Sequence, residues 1–143
     1  MNSKFYDPTD SDYQRLAKQW LFVVDLVNSE YNLDFEQNIE SLELIQRIVD
    51  DEILTPEMTY ELQCLGVALG RIVAKTIADL DWYIVEDEYG RDPTLRYLQT
   101  SFHFNPLTMI SKRVEEGSKV DVKSLYDWIC EKLNVLKGNI EHC

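Results

Sequence analysis

The feature that most constrains the fold is a ridge of small residues inside one long apolar helical pattern. Thr55-Pro56-Glu57 predicts a helix start, with threonine as the cap and proline in the first turn, and the pattern runs to about Ala78. Within it, small residues fall four apart: Gly66, Gly70, Ala74 and Ala78. Two glycines inside a helix cost about 1 kcal/mol each relative to alanine. We therefore expect another element to pack closely against this central helix.

Four further helices and a small sheet surround this helix in the predicted fold. Apolar residues at three- and four-residue spacing predict helices over residues 9–31, 39–53, 105–117 and 121–138. After residue 78 the period changes from 3.6 to 2, which predicts strands over 82–88, 94–99 and 101–104, with turn residues at 88–93. The expected fold class is α+β, with about five helices packed around or against a small, about three-stranded antiparallel sheet.

A length of 143 residues predicts a single domain. Its expected parts are an acidic helical region over 1–55, a core over 56–137 and a frayed tail over 138–143. No apolar run approaches the roughly 20 residues of a membrane span, and the first residues lack a signal-peptide pattern. Cys64 and Cys130 occupy apolar helix positions, which predicts buried reduced thiols, and Cys143 is expected to be exposed. We therefore expect a cytoplasmic protein.

Charge is unevenly distributed along the chain. The 26 acidic and 14 basic residues give a formal net charge of −12, which argues against nucleic acid or an anionic membrane as partner. Residues 1–60 hold 13 acids and 4 bases, whereas residues 101–143 hold six of each. This acidity is either a solvated face or a docking surface for a basic protein. The candidate partner-binding residues are Asp34, Glu36, Glu40, Glu43, Asp50, Asp51 and Glu52.

Recognisable catalytic motifs are missing from the sequence. It contains no HExxH, CxxC, P-loop or GxSxG pattern. Of its two histidines, His103 lies between two phenylalanines and is interpreted as structural, while His142 falls in the predicted tail. Acidic residues between 79 and 92 lack the spacing of a calcium loop. The sequence therefore predicts no enzyme, no metal site and no cofactor.

The predicted hairpin turn carries a second group of polar candidates. On the structural interpretation, Arg91 and Asp92 stabilise the turn, and Lys112 with Arg113 holds the next helix to the hairpin carboxylates. On the alternative interpretation, these groups converge on an open cleft and form a small-ligand or catalytic site. The candidate residues are Asp87, Glu88, Tyr89, Arg91, Asp92, Lys112 and Arg113.

Five segments between residues 60 and 128 are distinctive: LQCLGVALG (62–70), DW (81–82), VEDEYGRDP (85–93), FNPLTMISKRVE (104–115) and VDV (120–122). Through these segments, residues 60–128 resemble a bacterial family, the domain of unknown function numbered 3806. The resemblance implies no particular activity.

Three hypotheses about function follow from the sequence. The leading one is a non-catalytic protein-binding protein, such as an immunity protein that neutralises a toxin by covering a basic active-site surface with acidic helices. The alternatives are a small-ligand or enzymatic module built on the polar hairpin, and a structural adaptor subunit. The sequence does not predict an oligomeric state.

Overall fold

The computed structural model describes residues 4–138 of the chain and shows the expected α+β class, with five α-helices and one antiparallel sheet in that range. The sheet contains four strands in the order β1-β2-β3-β4, one more than predicted. The helices are α1 (Asp10–Tyr31), α2 (Leu42–Asp50), α3 (Thr59–Thr76), α4 (Leu107–Glu115) and α5 (Val122–Leu136), with a 3-10 turn at Ile39–Ser41. The strands are β1 (Lys4–Tyr6), β2 (Leu80–Asp87), β3 (Gly90–Tyr97) and β4 (His103–Phe104).

The additional strand is β1, which comes directly before α1. It pairs antiparallel with β2, placing Phe5 opposite Val85. Three residues are too few to show a strand period, so the sequence pattern did not reveal this strand. Because β1 belongs to the sheet and α1 packs on α3, the described residues before 55 contact the core directly.

The central position of α3 is confirmed. The helix is buried without interruption from Cys64 to Gly70. A Cβ atom on Gly66 would lie 2.3 Å from the carbonyl oxygen of Pro106, and one on Gly70 would lie 2.9 Å from the Trp82 ring. Close packing against the small-residue ridge was predicted, and the elements that pack there are the start of α4 and the Trp82 side chain of β2.

Helix α1 begins as predicted, whereas α3 begins later than predicted. Thr9 caps α1: its hydroxyl accepts the Asp12 amide at 3.1 Å, and the Asp12 carboxylate accepts the Thr9 amide at 2.8 Å. By contrast, residues 55–58 form a turn in which the Met58 amide donates to the Thr55 carbonyl at 3.0 Å. Proline suits the second position of such a turn as well as it suits a helix start.

Helix α2 is shorter than predicted. The pattern over residues 39–53 begins as a 3-10 turn, and the α-helix ends at Asp50. Glu52 then adopts a φ of 53°, outside the helical region. The three acids at 50–52 carry the wrong sign for a helix C-terminus, which favours this early end.

The hairpin between β2 and β3 has a tighter turn than predicted. Asp87 pairs with Gly90 across the turn, so only Glu88 and Tyr89 lie between the strands. The Asp87 carboxylate accepts the Tyr89 amide at 2.8 Å, and Gly90 has a φ of 130°, which glycine adopts readily. Residues 90–93, expected in the turn, therefore belong to β3.

Cys64 and Cys130 are both buried, as predicted. Cys143, His142 and the predicted tail beyond Gly138 lie outside the described residues. No helix within residues 4–138 is long and apolar enough to cross a membrane.

We expect Gly66→Ala to destabilise the fold by about 2 kcal/mol or more, because the new methyl group meets backbone atoms that cannot move aside. Gly70→Ala should cost less, because its nearest neighbours are side-chain atoms of Trp82 and Pro106. Urea denaturation of both variants measures the difference. Equal stability of Gly66→Ala and the wild type would contradict the close approach.

Candidate functional site

The seven acidic residues predicted to bind a partner are all exposed. They lie before the 3-10 turn, on that turn, on α2 and directly after α2. None of them forms an ion pair with another residue in the range 4–138. We call this set the acidic band: Asp34, Glu36, Glu40, Glu43, Asp50, Asp51 and Glu52.

Neutral donors hold two carboxylates of the acidic band in place. The Tyr31 hydroxyl donates to Asp51 at 2.7 Å, and the Gln46 carboxamide donates to Asp50 at 2.9 Å. Burial, followed by the hydrogen bond to Asp51, raises the pKa of Tyr31 to about 12. The Arg47 guanidinium lies over the Tyr31 ring, 4.2 Å from its centroid. These contacts position the carboxylates without neutralising them.

Part of the acidic band borders a groove of about 560 Å³ between α2 and the start of α5. We call it the α2 groove. Glu40, Glu43 and Asp50 line it from the α2 side, and Lys119, Asp121 and Lys123 line it from the other side. Its apolar surface comes from Ile39, Leu42 and Val120, of which Ile39 is 44% exposed. The groove thus combines an acidic wall with an apolar surface.

A single side chain, Gln46, joins the two sides of the α2 groove. Its Nε2 donates to the Val120 carbonyl at 3.0 Å, and its Oε1 accepts the Val122 amide at 2.8 Å. Gln46 thereby fixes α2 against the start of α5, where Asp121 caps the helix by accepting the Ser124 amide. Sequence reasoning did not single out Gln46. A polar residue within the apolar period of α2 was the only available signal.

In the polar hairpin, the prediction that Arg91 stabilises the turn together with Asp92 is wrong. The Arg91 guanidinium forms a bidentate ion pair with Asp12 at the start of α1, at 2.9 and 2.8 Å. Only 9% of the Asp12 side chain is exposed, and the hydrogen bonds from Arg91 hold its pKa well below the ordinary value. This pair therefore fastens the hairpin to α1. Tyr89 at the hairpin tip is 87% exposed.

Lys112 and Arg113 do not hold α4 to the hairpin. Across the described part of the chain, no hydrogen bond or ion pair joins either residue to residues 87–92. Arg113 donates to the Met109 carbonyl of its own helix at 2.7 Å and lines a groove that contains no hairpin residue, while Lys112 is exposed. In the described part of the chain, neither residue therefore fastens α4 to the hairpin.

His103 packs in a small cluster on the sheet face formed by alternate residues of each strand. Its Nδ1 lies 2.9 Å from the Thr94 hydroxyl, which donates to the Phe104 carbonyl at 2.8 Å. The Phe5 ring meets the imidazole edge to face at 5.0 Å, and the Arg96 guanidinium lies 4.1 Å from the Phe5 centroid. Burial lowers the pKa of His103. Because Thr94 is fully buried, we interpret its contact with His103 as structural.

The acidic residues are too dispersed to form a metal centre. Between residues 4 and 138, no group of three or more His, Cys, Asp or Glu side chains is arranged to hold a metal ion.

The fold and grooves define a class, a small α+β domain with an acidic surface groove. Within it, the model of the family described as "Domain of unknown function (DUF3806)" matches residues 41–126, more than half of the sequence, and the chain belongs to this family. The predicted resemblance is confirmed and extends further toward the N-terminus than expected. The match includes α2 and both sides of the α2 groove from Glu43 to Lys123.

A solved structure shares the fold. It is a protein of Bacteroides thetaiotaomicron VPI-5482, determined at 1.50 Å, with a TM-score of 0.82 and 19% sequence identity. The alignment covers 97% of this chain and 49% of that protein, so the chain spans about half the length of its structural neighbour. The search of curated proteins found no match.

Asp12→Asn should destabilise the chain by about 1–2 kcal/mol, because it removes the charge that binds Arg91 and weakens the cap of α1. Asp10→Asn is the matched control, since Asp10 also lies in the first turn but is exposed. Urea denaturation measures both variants. Equal losses of stability in the two variants would show that the Asp12–Arg91 ion pair contributes no more than any negative charge at the start of a helix.

The lowered pKa of His103 predicts a pH dependence of stability. As pH falls below the ordinary histidine pKa of 6.5, the unfolded chain takes up the proton before the folded chain, so the free energy of unfolding decreases. Arg96 beside the ring adds to this effect and Asp87 opposes it. His103→Gln should remove this component when urea denaturation is compared at about pH 7.5 and about pH 5.5. An unchanged pH dependence in the variant would contradict this prediction.

Proposed function

We propose that the chain is a non-catalytic protein-binding module, which binds a basic segment of a partner protein in the α2 groove. The observation that carries this proposal is the exposed acidic wall of the groove, Glu40, Glu43 and Asp50, beside the apolar surface of Ile39 and Leu42. Carboxylates without a cation partner in the described structure are suited to bind cations from another molecule.

Arginine or lysine side chains of the partner fit both parts of the groove. Their alkyl stems pack against Ile39 and Val120, while their charged ends reach the carboxylates on the α2 side. The other side carries less negative charge, since Lys119 and Asp121 line it together and Lys123 is ion-paired with Asp127 at 2.6 Å. This asymmetry favours one placement of the basic segment over its reverse.

The overall charge supports rapid association with such a partner. A net charge of −12 attracts a basic protein over distances longer than direct contact. Salt screens this attraction, with a Debye length of about 8 Å at physiological ionic strength. The association rate should therefore fall as salt is added, more than the dissociation rate rises.

A toxin with a basic active-site surface is one partner that fits this description. Covering such a surface would block the toxin's access to an anionic substrate, and the chain would then act as an immunity protein. We place this interaction in the cytoplasm, in line with the expectation from the sequence.

The reactive side chains in the described structure support the non-catalytic part of the proposal. The Thr94 hydroxyl beside His103 is fully buried and donates to a backbone carbonyl. Burial raises the pKa of the Cys64 thiol to about 11, which keeps it protonated and unreactive at neutral pH. Neither group is placed to attack a substrate.

The test uses a triple variant, Glu40→Gln, Glu43→Gln and Asp50→Asn, and a short peptide that alternates arginine with serine. Isothermal titration calorimetry should show that the variant loses about tenfold or more of the wild-type affinity, since it lacks the acidic wall. The matched control is the triple variant Asp25→Asn, Glu30→Gln and Glu57→Gln. Those three residues are also exposed and change the net charge equally, but none lines the α2 groove.

The control variant distinguishes binding in the α2 groove from a general effect of net charge. We expect the control variant to retain the affinity within about twofold at physiological salt. Equal losses in both variants would mean that the peptide responds only to net charge, and the proposal would be wrong. The same holds if the wild type does not bind the peptide.

A further inference from the structure

A second groove, of about 490 Å³, lies between α4 and α5. We call it the α4–α5 groove. Its apolar surface comes from Phe104, Met109, Leu125 and Trp128. It shares Lys119 and Asp121 with the α2 groove, so the two grooves adjoin.

Trp128 is the most distinctive residue of the α4–α5 groove. Its side chain is 42% exposed, whereas Phe104 and Leu125 beside it are buried. Half-exposed tryptophan in a groove is the type of residue that dominates binding energy at protein interfaces. The exposed half of the ring contributes little to folding, because it remains in contact with water.

Cations surround this aromatic residue, in contrast to the acidic character of the whole chain. Arg113 and Lys119 line the groove, and the Lys132 Nζ lies 5.9 Å from the centroid of the Trp128 ring. No carboxylate within residues 4–138 forms an ion pair with any of the three. Arg113 donates to the Met109 carbonyl through Nη1, which leaves Nη2 and Nε to donate to an external acceptor.

The one carboxylate that lines the α4–α5 groove is Asp121, which also caps α5. Asp121 accepts the Ser124 amide at 3.0 Å as the cap of α5. The backbone amides at this helix end are likewise occupied, since Val122 donates to Gln46. Asp121 keeps its negative charge and offsets one of the two lining cations, Arg113 and Lys119, so the lining side chains carry a small net positive charge. This local sign is opposite to the net charge of −12.

We infer from this charge complementarity that the α4–α5 groove docks an acidic segment of a protein partner. An aromatic or aliphatic side chain of that segment packs on Trp128 and Met109, and neighbouring carboxylates pair with Arg113 and Lys119. This inference goes beyond the binding of a basic segment in the α2 groove and does not depend on it, because the two sites recognise opposite charges.

The test begins with a phage-displayed random peptide library selected on the full chain at physiological salt. Selected peptides should carry an aromatic or aliphatic residue flanked by aspartate or glutamate. Synthetic copies of them should bind Trp128→Ala and Arg113→Gln about tenfold or more weakly than the wild type, as measured by calorimetry.

Matched controls separate the groove from general effects. Lys112→Gln removes a neighbouring exposed cation that does not line the groove, and Tyr89→Ala removes an exposed aromatic ring at the hairpin tip. Both should bind the selected peptides within about twofold of the wild type. Arg113→Lys keeps the charge and should recover part of the lost affinity. Melting temperatures confirm that each variant is folded.

Several outcomes would overturn the inference: selection of basic peptides, failure to select any peptide, or equal binding by Trp128→Ala and the wild type. A dimer that Trp128→Ala dissociates would also overturn it, since a second copy would then occupy the groove. Failure here leaves the proposed basic-segment site untouched, because that site is tested with a different peptide and with variants of Glu40, Glu43 and Asp50.

Discussion

The close approach of α3 to the start of α4 is the contact on which the rest of the structure depends. At Gly66, the α3 backbone meets the Pro106 carbonyl at a distance that leaves no room for a side chain. One turn later, Gly70 receives the Trp82 ring from β2. The same face of α3 therefore packs against both the sheet and the helix that follows it. A larger residue at Gly66 or Gly70 would push α3 away from these neighbours.

Two polar contacts then fix parts of the chain that apolar packing alone would leave less defined. Asp12 and Arg91 join the start of α1 to the hairpin, and Gln46 joins α2 to the start of α5. Each contact uses a bidentate geometry, which restricts orientation as well as distance. Gln46 thereby holds the two sides of the α2 groove together, in addition to the apolar packing between α2 and α5.

Signals in the sequence predicted local structure better than contacts between distant segments. The first and last helices were predicted to begin at residues 9 and 121, where the caps Thr9 and Asp121 lie, because a cap needs only its own side chain and a backbone amide three residues away. Thr55-Pro56 failed as a helix start, because the same residues favour a turn. Exposure of the acidic band follows from the cost of burying unpaired charge, which depends on residue type alone. The α2 groove, in contrast, lies between segments that are joined by the hydrogen bond from Gln46 to Val120, 74 positions away in the chain, and no spacing rule within a segment reports such a pairing.

The two adjoining grooves change how the net charge of −12 bears on recognition. The α2 groove has an acidic wall at Glu40 and Glu43, and the α4–α5 groove has a cation at Arg113. Lys119 lines both grooves. Under the two proposals, a partner segment of uniform charge would be attracted by one groove and repelled by the other. A segment that occupied both would change sign along its length, from basic over α2 to acidic over Trp128. Discrimination of this kind rests on repulsion as much as attraction, so the protein would select among basic partners by the charge of the residues adjoining their basic segment.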